Sequence, residues 1–166
     1  CIVLFLYLGK SFAQMRPEQT IDFHIKYAWQ NITKMYNAVA ARFGGSMAVG
    51  YILLNIDLEN GTPSTALGPK MGMEATSLSR ILKSMEEKGL IERKPNPQDG
   101  RGVFICLTPF GIEKREDAKA AVLTFNKSLY SNIDAEDLAA FFRVTSTINE
   151  LIDNKEIYTE KHEANH

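Results

Sequence analysis

Ile21, Ile25, Ala28, Ile32, Met35, Val39 and Phe43 recur at spacings of three and four. That period predicts a helix of roughly six turns with one apolar face, ended by Gly44-Gly45. Ser46 to Asn60 is apolar nearly all round, through Met47, Val49, Tyr51, Ile52, Leu53, Leu54, Ile56 and Leu58. It reads as a buried helix stopped by Gly61. Thr62-Pro63 then has the form of an N-cap followed by proline at the first helical position. The helix so opened is short, weakened at Gly68-Pro69 and closed by Gly72. Another helix is expected from about Glu74 to Lys88, with Leu78, Ile81, Leu82 and Met85 on its apolar side and Gly89 just past its end.

The period then changes. Leu90 to Lys94 is short and mixed, 95–102 is dense in turn formers, and Val103 to Leu107 is β-branched and aromatic, which together predict a hairpin. Thr108-Pro109 repeats the cap-and-proline signal and opens a long helix through about Tyr130, with Val122, Phe125 and Leu129 on one side. Asp134, with Glu136 and Asp137, caps a last helix whose stripe is Leu138, Phe141, Thr145, Ile148 and Ile152. A helix–turn–helix followed by a tight hairpin is a winged helix-turn-helix. The outer helices carry more apolar surface than so small a unit can cover, which points to a dimerisation bundle built from both termini. The expected class is mainly α with a small β-hairpin wing. Its divisions are an N-terminal extension at 1–19, supporting and dimerising helices at 20–61, the winged lobe at 62–111, C-terminal dimerisation helices at 112–155, and a polar tail at 156–166.

Composition narrows the chemistry. The 166 residues are 45% hydrophobic and 23% charged, with net charge -1, so a uniformly basic nucleic-acid coat is excluded while a local basic patch is not. Residues 62–111 carry net +2 and the rest net −3, a modest polarisation. Cys1 and Cys106 cannot make a disulfide scaffold or a four-thiolate zinc site, and His24, His162 and His166 are too few for a histidine-rich one. No metal and no cofactor is expected. The apolar run Cys1 to Leu8 is far shorter than the ~20 residues of a membrane span. Ser11-Phe12-Ala13 fits a small-x-small cleavage site, but no basic segment precedes the apolar run and Lys10 lies behind it. The favoured expectation is that 1–14 is an upstream extension or foreign to the natural chain, which then starts at Met15. A hydrophobic arm docking on a partner subunit ranks second, a truncated signal peptide third.

Three motifs stand in order. The first runs from Met71 through Thr76-Ser77-Leu78-Ser79-Arg80 to Gly89-Leu90-Ile91-Glu92-Arg93; the second is Pro97-Gln98-Asp99-Gly100-Arg101; the third is Leu107-Thr108-Pro109-Phe110-Gly111. From about Asp22 to Ile152 the chain resembles the multiple-antibiotic-resistance regulator (MarR) family of winged helix-turn-helix transcriptional regulators. The motifs match that family's recognition helix, its wing and the exit from the wing. Two positions depart. Gly100 takes the place of the first of the two arginines that often follow the wing aspartate, and Pro69 sits where an ordinary helix former is usual.

The resemblance implies a homodimer that binds double-stranded DNA at a pseudo-palindrome, as a repressor released by a small aromatic or anionic effector, in the cytoplasm and without a membrane. A helix entering the major groove needs polar side chains at its N-terminal end; Ala75, Thr76, Ser77, Ser79 and Arg80 fit, with Arg80 able to bond bidentately to guanine. Lys83 and Lys70 suit phosphates. In isolation such a face is an ordinary solvated one; the adjacent wing decides for DNA. There Arg101 would enter the minor groove. Asp99 repels phosphate and instead holds Arg101 or caps the turn. Arg93 and Lys94 are structural or phosphate contacts.

An effector pocket could draw on His24, Tyr27, Tyr36, Met47 and Tyr51, although each singly reads as a core or interface residue. The redox-sensing branch of the family uses a cysteine near the start of its first helix, which has no counterpart here; Cys106 reads as packing. No HExxH, phosphate loop, nucleophile elbow or paired-carboxylate signature is present, so no enzyme is expected. The competing reading is a winged-helix protein-interaction module that never touches DNA.

Overall fold

A computed structural model describes residues 15–42, 44–95 and 102–157. A 3-10 turn at Pro17–Gln19 precedes α1 (Ile21–Ala41) and α2 (Met47–Asn55). Then come β1 (Thr62–Pro63), α3 (Ser64–Met71), α4 (Ala75–Glu87), β2 (Ile91–Pro95) and β3 (Val103–Leu107). Two long helices follow, α5 (Pro109–Asn132) and α6 (Ala135–Asp153). The chain divides into two compact units, one up to Ala121 and one from Val122 onward. No helix among the described residues is long and apolar enough to cross a membrane.

The first unit holds the core. Ile52, Leu53 and Ile56 meet Leu67, the α4 residues Leu78, Leu82 and Met85, and Leu90, Ile91 and Ile105 of the sheet region. Burying each such side chain is worth about 1.5–3 kcal/mol. Helices α3 and α4 both end on a left-handed glycine, Gly72 at φ 58° and Gly89 at φ 68°. In each case the next amide reaches back five residues, Met73 to the Gly68 carbonyl at 3.1 Å and Leu90 to that of Met85 at 2.9 Å. That closure satisfies carbonyls that a helix end leaves open, and it turns the chain sharply enough to set α4 beside α3 and β2 beside α4.

Three expectations need correction here. The second helix stops at Asn55 rather than Asn60. The Asp57 carboxylate accepts from the amides of Asn60 at 2.7 Å and Glu59 at 3.1 Å, a local turn that competes with helical bonding. The same bonds, Asn60 first and then Glu59, hold the Asp57 carboxyl below its ordinary pKa. Secondly, Thr62-Pro63 is not a cap but a strand. It pairs antiparallel with β3, Thr62 opposite Ile105 and Pro63 opposite Phe104, so the wing is a three-stranded sheet in the order β1-β3-β2. Pro63, which has no amide to give, sits in an edge strand. The buried Thr62 hydroxyl accepts from the Asp57 amide at 2.9 Å and donates to the Asn55 carbonyl at 3.4 Å. Thirdly, Asp134 occupies the N-cap position of α6 but its side chain makes no capping bond.

The remaining boundaries shift by a few residues. Helix α1 ends at Ala41, with Phe43 outside the described residues, and α5 runs to Asn132. Thr20 caps α1 by accepting from the Phe23 amide at 3.4 Å. Among the described residues, the long helices fully bury none of the stripe residues named for them: Ile21, Ile25, Phe141 and Ile152 are 62%, 46%, 59% and 56% exposed, and most of the others are half-buried. In the second unit, Tyr130, Ile133, Ala135, Leu138, Ala139 and Phe142 line an open, largely apolar groove where α5 turns into α6.

One junction fastens α4, the sheet and α5. The Thr108 hydroxyl donates to the Gly89 carbonyl at 2.6 Å and accepts from the Gly111 amide at 2.9 Å, while the Thr108 amide donates to the Leu90 carbonyl at 3.2 Å. Gly111 lies so close to Leu90 that a methyl group there would collide with the Leu90 carbonyl oxygen. We predict that Gly111→Ala destabilises the fold by about 3 kcal/mol, at the upper end of overpacking costs, although alanine is the better helix former. Urea unfolding checks this; a midpoint equal to or above that of the parent chain would refute the junction.

Candidate nucleic-acid interface

Helix α4 is sharply two-sided. Leu78, Leu82 and Met85 are 5%, 3% and 0% exposed, and they anchor the helix on the core. Ala75, Thr76, Ser77, Ser79, Arg80 and Lys83 are all exposed. Arg80 and Lys83 make no ion pair with a described residue. The first-turn amides have no partner inside the helix, so this end of α4 carries free donors and the positive end of the helix dipole. Small hydroxylated side chains, an unpaired guanidinium and open amides on one convex helix end form a surface able to donate to base edges and phosphates.

Lys70, exposed in the last turn of α3, helps slightly to lower the Asp57 carboxyl pKa. The cations at the base of the wing are engaged. Arg93 opposes the fully buried Ile105 across the β2–β3 ladder, and directly opposed residues share a face of the sheet. Its side chain therefore lies over α4, where Nε meets Oε2 of Glu86 at 2.9 Å. Lys94 points to the other face and pairs with Glu92 at 2.7 Å; that bond is the first cause of its raised pKa. Arg93 is thus a strut between wing and helix. The strand period signals it: two residues after the buried Ile91, Arg93 falls on the core face. Asp99 and Arg101 of the wing tip lie outside the described residues.

The pocket candidates fall into two groups. His24 meets Phe23 edge-on at 5.7 Å, and Phe23 stacks on Tyr27 at 6.2 Å, all in the first turns of α1. Tyr36, Met47 and Tyr51 gather where α1 meets α2. There the Met47 amide donates to Asn37 Oδ1 at 3.0 Å, and burial first, then Tyr51, raises the Tyr36 pKa. Twelve helical residues, about 18 Å of rise, separate His24 from Tyr36.

Comparison with known proteins meets this geometry. Residues 47–103 match the MarR family, a span that includes all of α4 and the base of the wing. That match covers the winged segment and not the whole chain. An uncharacterised HTH-type transcriptional regulator of Bacillus subtilis, YdgJ, is 30% identical over 54% of this chain and 55% of its own length. This chain thus spans about half of that relative. The organic hydroperoxide resistance transcriptional regulator of the same organism is 27% identical over 86% of this chain and 99% of its own. Among solved structures, the Staphylococcus aureus MepR–DNA complex superposes with a TM-score of 0.72 at 19% identity, over 80% of this chain and 98% of that one. The likeness to that structure is one of fold. The three-stranded winged unit described above is the fold shared with these structures.

The Glu86–Arg93 pair is half exposed, at 36% for Arg93 and 41% for Glu86, so solvent screens it. A double-mutant cycle of Glu86→Ala and Arg93→Ala should give a coupling of about 0.5 kcal/mol at low salt. It should fade toward zero at molar salt. A coupling that persists there would mean the pair is not the solvated strut described.

Proposed function

We propose that this protein is a MarR-family regulator, a homodimeric, sequence-specific DNA-binding repressor released by a small-molecule effector and acting in the cytoplasm. The observation that carries the reading is α4, locked by three buried apolar residues and presenting Thr76, Ser77, Ser79 and Arg80 on its free side. In this reading 62–111 reads DNA, with Arg80 as the base reader, Lys83 and Lys70 at phosphates, and Arg101 in the minor groove. Residues 20–61 and 112–155 join two copies. The relative in the MepR complex is a DNA-bound member of the same fold, which supports the reading.

Arg80→Ala should relax discrimination at one guanine by about ten- to a hundredfold, whereas Lys83→Ala should weaken binding evenly and lower the salt slope by about 1. Anisotropy titrations on the DNA upstream of the protein's own gene, over a salt series, separate the two. Wild-type discrimination in the Arg80 variant would remove it from base reading, and absence of binding at low salt would favour a protein-interaction module instead.

The dimer reading has its own test. Ile25 is 46% exposed in the single chain, so Ile25→Glu should leave the fold intact. It should shift the species seen by light scattering from dimer to monomer and cost the cooperative grip on a two-half-site operator. A parent chain that is monomeric at micromolar concentration would defeat the proposal.

A further inference from the structure

Glu74 holds the N-cap position of α4, with φ -63° and ψ 141°, and its side chain caps no amide. Its backbone is held on both sides. Gly72 turns left-handed just before it, the Met73 amide closes on the Gly68 carbonyl at 3.1 Å, and the Glu74 carbonyl accepts from the Leu78 amide at 3.0 Å. The side chain is exposed and makes no ion pair with a described residue. Asparagine, aspartate and serine are the usual residues at this position, because a short side chain curls back to a first-turn amide. The extra methylene of glutamate lets the carboxylate extend past that bond instead. A free carboxylate thus stands at the same end of α4 as Thr76, Ser77 and the open amides.

A bare helix N-terminus is a ready phosphate site. A carboxylate at that end opposes phosphate, on a duplex that carries one negative charge per ~1.7 Å of its axis. What it can accept from is an exocyclic amino group, and the major groove offers two, adenine N6 and cytosine N4. Adenine presents its N7 acceptor beside the amino group, which repels a carboxylate; cytosine presents the N4 donor alone. We propose that Glu74 accepts a hydrogen bond from a cytosine N4 amino group in each half-site and keeps phosphate away from the first-turn amides of α4. This deepens the reading of α4 as the DNA-reading helix and rests on it. Specificity then has an attractive part, toward one base, and a repulsive part, against the backbone.

The test uses the full chain and a duplex pool randomised over two helical turns, roughly 20 base pairs. Preferred sites are selected from the pool, and an unselected duplex from it measures non-specific affinity. Sites selected by the parent chain should hold one cytosine per half-site at which Glu74→Ala lowers discrimination by about ten- to a hundredfold. The same variant should bind the unselected duplex severalfold more tightly. Glu74→Asp keeps the charge but draws it back into a cap; it should lose the cytosine preference and leave the non-specific affinity at the parent's level. The side chain has no ion pair with a described residue, so both variants should melt close to the parent; were the alanine variant to unfold, the aspartate variant decides. Unchanged base preference in either folded variant, or unchanged non-specific affinity in Glu74→Ala, overturns the role of Glu74 and leaves α4 a DNA reader. A parent chain that selects no site overturns the regulator reading, and the role of Glu74 with it.

Discussion

The winged unit depends on the close approach of α5 to the end of α4. Gly89 ends α4, Leu90 enters the sheet, and Thr108 spans both with its hydroxyl and its amide. Gly111 then brings the first turn of α5 against the Leu90 carbonyl, where no side chain fits. Three elements that carry different tasks are thereby fixed at one point: the helix with the polar face, the strands of the wing, and the long helix that leads out of the unit. Hydrophobic burial alone is non-directional and would permit α4 to roll. Short hydrogen bonds to backbone carbonyls at its exit remove that freedom, and the stripe of Leu78, Leu82 and Met85 then determines which side faces out.

Much of this was legible in the sequence, because periodicity and termini are local signals. Helix α4 reads from its apolar spacing and its following glycine, and α5 from Thr108-Pro109. What escaped were features set by partners distant in the chain. Strand β1 is two residues long and has no period of its own; Thr-Pro looks like a cap until Ile105 and Phe104 pair with it. The early stop of α2 was hidden because Ile56 and Leu58 prolong its apolar pattern, while Asp57 ends the helix through its own carboxylate. On the surface, Thr76, Ser77, Ser79 and Arg80 were found as a set from the helix period. The strut role of Arg93 needed the sheet register, which ties it to Ile105 and so to Glu86.

The terminal helices pose the opposite case. Their apolar stripes are plain in the sequence, and none of their described residues is fully buried in the single chain: some are exposed and the rest half-buried. Isolated exposed apolar residues need no explanation, but rows of them on several helices mark surface that a partner covers. Those rows tie the proposed dimer to the sequence pattern as well as to resemblance.

Charge placement completes the argument. A chain of net charge -1 has no electrostatic excess with which to attract a polyanion, so what matters is which cations are left uncompensated. In the wing base, Arg93 and Lys94 are matched by Glu86 and Glu92, and at the start of α5 Lys114 is matched by Glu113 and Asp117. On α4, Arg80 and Lys83 have no such partner among the described residues, and they stand beside free amides at the positive end of a helix. Lys26, Lys34, Lys127 and Arg143 likewise make no ion pair with a described residue, so it is the company of hydroxyls and free amides, not charge alone, that sets this end of α4 apart. With so little net charge, long-range attraction is weak, and the proposed base reading by α4 rests on the short-range donor geometry of this helix end.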